Sequence, residues 1–317
     1  MTSDDAAADR PRSNVRSAAE HNSGGDAVRR RRMSAGCVIL TRGDRPTDLG
    51  RAVKSVLTQR DVDVDCLVVV NASTADFEDL AGARIYVTGR NVGIPGGRNT
   101  GARRVTGEVL LFLDDDAQLS TDSVLRHAVD RFVAEPSLGI LSLRIIDPDG
   151  RPGARRHVPR LYVGDPAVGS EVTTFLGGAC IMRRAVLDDV GGFPEDFFYA
   201  HEETSLAWRA LDAGWRIRYA GDLSVYHPVT SPARHAHYHY LTARNRVLLA
   251  RRHLPWPIAV LYLGVWSFAS FLRAQPGGLM PTMRGFAEGF RHPVGTRKPI
   301  SWRTVLRMTR LGRPPIV

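Results

Sequence analysis

The sequence predicts an α/β fold with a mostly parallel central sheet and a helical, hydrophobic C-terminal segment. Three runs of consecutive apolar residues, at 37–40, 66–70 and 109–113, are typical of strands buried on both faces. Between such runs, apolar residues recur at helical spacing, as at 49–57. Strands that alternate with helices favour parallel pairing through right-handed crossovers.

The predicted elements follow one another from residue 37 to residue 226. The first are a strand at 37–40, a helix through 49–57, strands at 66–70 and 84–87, a helix at 99–105 and a strand at 109–113. The later ones are a helix at 124–133, a strand at 139–143, a loop rich in Pro, Gly and Arg at 151–170, a strand at 175–182, a helix at 204–213 and strands at 215–219 and 223–226.

Composition divides the chain into three parts. Residues 1–32 contain almost no large apolar side chains and are predicted to be disordered. Residues 33–250 carry every predicted strand and form the globular domain. Residues 251–317 combine an apolar segment with a basic tail, which supplies most of the net charge of +10. Because the rest of the chain is nearly neutral, this charge indicates an anionic lipid surface rather than a wrapped nucleic acid.

The apolar segment at 254–272 contains no charged residue. Three placements are open: in the plane of a membrane interface, packed against the domain or a second copy of the chain, or across the bilayer. Pro255 and Pro257 shorten the usable helix, and a span would carry the basic tail to the far side, against the positive-inside tendency. We therefore favour an interfacial segment with the basic tail on the same leaflet.

Three aspartates, Asp114, Asp115 and Asp116, follow directly after the strand at 109–113. Open α/β sheets present their ligand sites at the carboxyl ends of strands. Asp114 and Asp116 are two residues apart, so in extended chain both point to one side. Two such carboxylates can hold Mg²⁺ or Mn²⁺, which in turn binds a diphosphate. The alternative is that the acids only end the strand and cap the next helix.

The glycine-rich segment at 91–101 is a second candidate ligand site. Its glycines let a ligand approach the backbone closely. Arg98 can pair with a phosphate through two parallel hydrogen bonds, and Asn99 is expected to cap the helix that follows. The alternative is a plain glycine-rich turn.

The order of these motifs resembles that of the family 2 glycosyltransferases, which have the GT-A fold, and in particular bacterial rhamnosyltransferase-like enzymes of the cell envelope. The resemblance covers roughly residues 35–250. The segments that carry it, in order, are 38–42, 49–59, 68–71, 91–93 with 98–101, 114–116, 177–179, 191–193 and 201–203.

The resemblance implies roles for most of the polar residues in these segments. The residues implied in nucleotide-sugar binding are Thr41, Arg42, Asn71, Asn91, Gly93, Arg98, Asn99 and Asp115. Asn71 offers a donor and an acceptor, which suits the edge of a uracil or thymine base; a turn-forming asparagine is the alternative. Gly177 and Gly178 would line the acceptor side. The metal ligands would be Asp114, Asp116 and His227, although a lone histidine is often structural.

Glu202 and Glu203 occupy the place of the family's Glu-Asp pair, whose second member is usually the base that deprotonates the acceptor hydroxyl. Glu203 is one methylene longer than the usual Asp, and Ser205 stands where another Asp is common. Either glutamate is therefore a candidate base. The alternative is that both acids only favour the dipole of the helix that begins there.

The resemblance implies an inverting, metal-dependent transfer of a hexose or deoxyhexose from a UDP- or dTDP-linked donor to a hydroxyl of a glycan or lipid-linked acceptor. Such an enzyme would be cytoplasmic and peripheral on the inner face of the cytoplasmic membrane, and a homodimer is left open. One alternative is a catalytically inactive, membrane-associated relative. Another is a nucleotidyltransferase of the same fold, although the segment 41–46 has a single glycine where such enzymes need a glycine-rich phosphate loop.

Overall fold

The computed structural model describes residues 33–72, 80, 82–151, 153–229, 237–273 and 277–316. The tail predicted to be disordered, residues 1–32, lies outside the described residues. The boundary placed at residue 250 stays a prediction.

Within the described residues, nine strands form one sheet in the order β3-β2-β1-β4-β8-β6-β9-β5, with β7 paired to β9. Six strands run in one direction, and β5, β7 and β8 run in the other, so the predicted mostly parallel sheet is confirmed. The strands are β1 (Ser34–Thr41), β2 (Asp63–Val70), β3 (Arg84–Val87), β4 (Val109–Asp114), β5 (Gln118–Leu119), β6 (Leu138–Ile146), β7 (Ser170–Glu171), β8 (Ala179–Arg183) and β9 (Arg216–Tyr226).

Helices cover both faces of the sheet because the buried strands are apolar on both sides. Ile39 and Leu111 belong to a core that includes α1 and α3, whereas Val38 and Phe112 belong to one that includes α5, α6 and α7. The helices are α1 (Pro46–Leu57), α2 (Gly93–Ala102), α3 (Val124–Ala134), α4 (Arg184–Val190), α5 (Glu202–Asp212), α6 (Tyr238–His253), α7 (Trp256–Leu272), α8 (Leu279–Arg291) and α9 (Trp302–Arg310).

The helix predicted at 99–105 lies earlier, at α2, and this changes the interpretation of its glycines. A Cβ at Gly97 would overlap Leu40, and one at Gly101 would overlap Val38. Glycine is therefore needed for α2 to pack directly on β1, and not only for the approach of a ligand. Because Asn99 lies inside α2, its predicted role as a helix cap is wrong.

Two further predictions about strands are corrected. The strand predicted at 175–182 begins only at Ala179, because Gly177 and Gly178 form the turn that leads into β8. The two strands predicted at 215–219 and 223–226 are one strand, β9, whose pairing with β6 shifts register between Leu143 and Arg144. The less apolar residues between the two predicted strands lie at this irregularity, where residues 221–223 have no partner in β6.

The apolar segment predicted at 254–272 forms α7, which begins at Trp256 with Pro257 in its first turn, where proline is tolerated. One stripe of α7, including Ala259 and Tyr262, is buried against the domain. The opposite side exposes large apolar residues, among them Val260 and Phe268. In the part of the chain that the structure describes, we find no helix with both the length and the apolar character that a membrane crossing requires.

Candidate active site

The three aspartates lie at the carboxyl end of β4, beside the end of β1, as predicted. Thr41 donates a hydrogen bond of 2.6 Å from Oγ1 to Asp115. Arg45, at the start of α1, forms ion pairs with Asp115 and Asp116. Burial raises the pKa of Asp115 to about 6. Thr41 and Arg45 thus hold the Asp115 carboxylate beside the ends of β1 and β4.

His227 follows β9 and faces the first and third aspartates. Its Nε2 lies 3.2 Å from Asp116 Oδ1 and 3.6 Å from Asp114 Oδ2. Its Nδ1 lies 2.8 Å from the carbonyl oxygen of Pro228, which directs Nε2 at the carboxylates. Although burial disfavours the imidazolium, hydrogen bonds to the two aspartates raise the pKa of His227 to about 10. This position therefore stabilises positive charge.

The predicted metal ligands Asp114, Asp116 and His227 are brought together by the fold. One ligand atom from each lies within 4.8 Å of the others. Carboxylate oxygens with one imidazole nitrogen are suited to Mn²⁺, and the two carboxylates also to Mg²⁺. Among the described residues, this grouping therefore fits such an ion.

Arg98 is buried inside α2 and is surrounded by carboxylates. Its Nη1 lies 3.1 Å from Glu203 and 3.3 Å from Glu202, and its Nη2 lies 3.6 Å from Asp114. Burial alone would favour the neutral guanidine, but the three acids raise the pKa of Arg98. The guanidinium therefore joins the aspartates of β4 to the glutamates of α5. Its predicted contact with a phosphate stays a prediction.

The two glutamates at the start of α5 have different environments. Glu202 is 2% exposed, and its Oε2 has no hydrogen-bond partner among the described residues. Burial, followed by the charge of Glu203, raises the pKa of Glu202 well above its ordinary value. The side chain of Glu203 is 23% exposed. Burial thus favours the protonated form of Glu202, and Glu203 is the more exposed of the two side chains.

The loop before α5 has an unusual backbone. Phe198, Ala200 and His201 have φ values of 62°, 69° and 67°, which side-chain-bearing residues rarely adopt. The fully buried Asn245 of α6 donates hydrogen bonds of 2.7–2.9 Å to the carbonyl oxygens of Phe197, Tyr199 and Ala200. Asn245 therefore holds the loop in the conformation that places the glutamates.

Gly177 and Gly178 pack directly against the acidic cluster. A Cβ at Gly177 would overlap Arg98 and Glu203, and one at Gly178 would overlap the carboxylate of Asp114. The turn into β8 can pass this close only without side chains. Their role on the acceptor side stays a prediction.

The asparagines implied in nucleotide binding are bonded to nearby backbone. Asn71 donates to the Gly93 carbonyl oxygen and accepts from the Val92 amide. Asn91 Oδ1 accepts from the Gly93 amide, and Gly93 itself has φ +75°. The buried Asn99 exchanges hydrogen bonds of 2.8 and 2.9 Å with the backbone of Phe193.

These contacts fix the segment 91–93 beside the end of β2 and tie α2 to the segment before the glutamates. Arg42 is exposed at the end of β1, without a hydrogen-bond partner among the described residues.

Sequence reasoning missed Arg45 and Asn245. Arg45 could have been found, since it lies in the loop after the first strand, which meets the aspartates in a parallel sheet. Asn245 lies between Arg244 and Arg246 on α6. Nothing in that pattern reveals an amide that bonds to a loop some 45 residues earlier.

Replacing Glu202 with glutamine tests the retained proton. The unfolded chain loses this proton near the ordinary pKa of 4.5, whereas the folded protein keeps it to higher pH. Stability from this group is therefore present at low pH and falls as the pH rises, by at most about 1.4 kcal/mol per pH unit. We expect urea unfolding between about pH 5 and 8 to show a smaller decline for Glu202→Gln than for the wild type.

Glu288→Gln, an acid-to-amide change at an exposed carboxylate of α8, is the matched control and should follow the wild type. If the free energy of unfolding declined equally with pH in the wild type and in Glu202→Gln, the prediction that Glu202 is protonated in the folded protein would be wrong.

Comparison with known proteins agrees with this geometry. Residues 37–191 match the family model described as Glycosyl transferase family 2. A pre-mycofactocin glycosyltransferase of Mycobacterium tuberculosis is 27% identical over 205 residues, which cover 60% of this chain and 42% of that protein. An N-acetylglucosaminyl-diphospho-decaprenol L-rhamnosyltransferase of the same organism is 27% identical over 250 residues, covering 64% of this chain and 79% of that protein. The chain spans less than half the length of the first of these relatives.

Solved structures show the same fold. S. aureus TarS 1-349 in complex with UDP-GlcNAc has a TM-score of 0.58 at 15% identity, covering 86% of this chain and 83% of that one. The mannosyltransferase PcManGT from Pyrobaculum calidifontis, in complex with GDP-Man and Mn²⁺, has a TM-score of 0.53 at 17% identity, covering 88% and 79%. The fold is GT-A. The family match shows that residues 37–191 form a glycosyltransferase family 2 domain, and the likenesses to solved structures show the fold.

Proposed function

We propose that the protein transfers a sugar, with inversion, from a UDP- or dTDP-linked donor to a hydroxyl of a lipid-linked or glycan acceptor. The observation that carries the proposal is the network around Arg98, which contacts both Asp114 and Glu203. The guanidinium of Arg98 thus lies between a site suited to a cation and an accessible carboxylate. Glycosyl transfer needs both, because a diphosphate leaves while a hydroxyl loses its proton.

Asp114, Asp116 and His227 would hold Mg²⁺ or Mn²⁺. Bound there, the ion would supply positive charge for the departing diphosphate. His227 is oriented for this by its hydrogen bond to Pro228, and Arg45 holds the remaining face of Asp116. The mannosyltransferase PcManGT supports this proposal, since its structure contains Mn²⁺ with a nucleotide sugar.

Glu203 would accept the proton of the acceptor hydroxyl. It is the more exposed of the two glutamates, and Glu202 is kept protonated by burial. Arg98 contacts Glu203 and orients its carboxylate, which would position Glu203 to act as a base. Attack by the hydroxyl oxygen from the face opposite the diphosphate would invert the anomeric carbon.

The carboxyl ends of β1, β2 and β4 would bind the nucleotide. They present Thr41, Asn71 and Asp115 at one edge of the sheet. β1 lies between β2 and β4, where the chain order reverses, and open α/β sheets bind nucleotides at such points. Arg42 is exposed at the same edge, which makes its guanidinium available to the donor.

The exposed side of α7 would lie on an anionic membrane surface from the cytoplasmic side. The side chains of Val260, Phe268 and Phe271 are 65–70% exposed along it. The neighbouring α8 and α9 expose several arginines, including Arg284 and Arg303. An apolar helix face beside basic side chains complements the acyl boundary and headgroups of an anionic leaflet.

Asp116→Asn tests the metal and nucleotide site. We expect UDP or dTDP with Mn²⁺ to raise the melting temperature of the wild type. A ligand present at about 100 times its Kd adds about 2.7 kcal/mol to the free energy of unfolding. The Asp116→Asn variant should lose this increase in melting temperature, because only one of the two carboxylates that would bind the ion, Asp114, remains. Asp130→Asn, at an exposed acid of α3, should keep it. Absence of any nucleotide effect in the wild type would favour a catalytically inactive relative.

Glu203→Gln tests the base. We expect kcat for sugar transfer to fall by at least about 100-fold, the usual contribution of general base catalysis. Binding of donor and Mn²⁺ should stay within about threefold, because the metal ligands are intact. Glu288→Gln on α8 is the matched control and should leave kcat unchanged. A Glu203→Gln enzyme with near wild-type kcat would assign the proton transfer to another group.

Co-sedimentation with vesicles tests the membrane surface. We expect the wild type to bind phosphatidylglycerol vesicles more strongly than phosphatidylcholine vesicles, and less so at high salt. Phe268→Ser with Phe271→Ser should weaken binding severalfold by removing exposed apolar area. Tyr162→Ser, at an 87% exposed aromatic residue outside the C-terminal helices, is the control. Equal binding of the double variant and the wild type would contradict the proposed surface.

A further inference from the structure

The short segment after β9 that carries His227 is held by the end of β6. The amide of His227 donates a hydrogen bond of 2.9 Å to the carbonyl oxygen of Ile146, the last residue of β6. The next residue, Asp147, accepts a hydrogen bond of 2.9 Å at Oδ2 from the amide of Val229. Pro228 lies between these two amides and has no N–H of its own. Two consecutive residues at the end of β6 thus hold the chain on both sides of Pro228.

A single peptide group connects Asp147 to the imidazole of His227. The carbonyl oxygen of Pro228, which lies 2.8 Å from His227 Nδ1, and the amide hydrogen of Val229 belong to that one group. The peptide is trans and planar, so its C=O and N–H point in opposite directions. When the carboxylate of Asp147 holds the N–H, it therefore also fixes the direction of the C=O that bonds to His227.

Asp147 is buried, and its two carboxylate oxygens hold two different segments of backbone. Its side chain is 0% exposed, and Oδ1 accepts from the amides of Asp149 and Arg151 at 2.9 and 3.4 Å. The exposed guanidinium of Arg151 lies 3.3 Å from the same oxygen. A buried carboxylate is costly unless hydrogen bonds compensate it, and backbone amides supply most of them here. Oδ1 serves the loop that begins at this point, and Oδ2 serves the segment that carries His227.

The loop that begins after β6 also contacts the imidazole of His227. His157 in this loop is 6% exposed, and its ring lies edge-to-face with that of His227, with 6.0 Å between the centroids. One ring thus flanks His227 while the carbonyl oxygen of Pro228 bonds to its Nδ1. These contacts leave Nε2 directed at the carboxylates of Asp114 and Asp116.

We propose that Asp147 is a positioning residue, which directs Nε2 of His227 toward Asp114 and Asp116 through the Pro228–Val229 peptide. A histidine that binds a metal depends on the partner of its other ring nitrogen for its orientation and basicity. A carboxylate behind that partner polarises the chain of hydrogen bonds and strengthens it. This inference rests on the proposed function, since it concerns the metal site of the same enzyme.

Binding of Mn²⁺ in the presence of UDP tests this role without turnover, with the free ion measured by electron paramagnetic resonance. We expect Asp147→Ala to weaken Mn²⁺ binding about tenfold, as loss of such a partner does in metal sites. Val229→Pro removes the donated hydrogen and keeps the carboxylate, so it should weaken binding similarly and tests the role even if Asp147→Ala fails to fold. Asp65→Ala removes a carboxylate that accepts a backbone amide near the start of β2 and should bind Mn²⁺ as the wild type does.

A second background separates positioning from the loss of a nearby charge. In His227→Ala, adding Asp147→Ala should weaken Mn²⁺ binding by less than a further twofold, because no imidazole remains to be positioned. An equal loss in both backgrounds would mean that Asp147 acts only through its charge, and it would overturn the proposal. Arg151→Gln breaks the ion pair on Oδ1 and should keep wild-type affinity. A loss as large as that of Asp147→Ala would assign the effect to the loop and also overturn the proposal.

The imidazole itself gives a readout that requires no metal. Nuclear magnetic resonance of ¹⁵N-labelled histidine should show a hydrogen-bonded Nδ1–H of His227, identified by its absence in His227→Ala, and Asp147→Ala and Val229→Pro should each shift or lose this signal. If the wild type bound no Mn²⁺ but showed these changes, the proposed metal site would be refuted and the positioning of His227 would stand. If folded Asp147→Ala and Val229→Pro variants bound Mn²⁺ as tightly as the wild type, the positioning role would be refuted and the metal site would stand.

Discussion

The buried guanidinium of Arg98 is the interaction on which the rest of the site depends. Three carboxylates from two elements, Asp114 on β4 and Glu202 and Glu203 on α5, lie around it. Acids brought together at this burial would repel one another and take up protons, and one cation offsets both costs. Burial and the charge of Glu203 nevertheless raise the pKa of Glu202, so one arginine does not fully compensate this acid. Removing Arg98 would therefore leave these three acids without the cation that they share.

This arrangement is possible only because the backbone passes unusually close to the charged groups. Gly97 and Gly101 let α2 lie directly on β1, which carries Arg98 down to the level of the strand ends. Gly177 and Gly178 let the turn into β8 close over Asp114 and Glu203. The glycines that looked like ligand-contacting residues in the sequence serve first to bring side chains of the protein together. The surrounding structure then determines how far the acids are exposed.

The sequence was sufficient for the parallel half of the sheet and for the position of Asp114 and Asp116 at its edge, because both follow from local patterns. Asp114 and Asp116 directly follow an apolar run, so both are expected at the carboxyl end of a buried strand. The sequence was insufficient where a helix is built from glycine and polar residues, as at α2, because low intrinsic propensity is overcome there by packing. It also could not show that Arg98 is enclosed by acids, since Glu202 is more than 100 residues away. Contacts at such separation depend on topology that local periodicity does not contain.

The serine that replaces a common family aspartate has a structural explanation, which bears on whether the site is active. Ser205 Oγ lies 2.9 Å from Nε2 of His253, and both residues are buried. Burial lowers the pKa of His253 to about 3, so the histidine is neutral and an uncharged hydroxyl is its suitable partner. An aspartate here would add another buried acid to a region where three acids already share Arg98.

The Ser205–His253 pair also ties α5 to α6, the helix that carries Asn245 and Arg246. One helix thus holds the loop before the glutamates, contacts α5 behind them, and stacks Arg246 on Trp266 of α7. The departure at residue 205 is therefore part of the packing that positions Glu203, and it does not argue against the proposed role of Glu203 as the base.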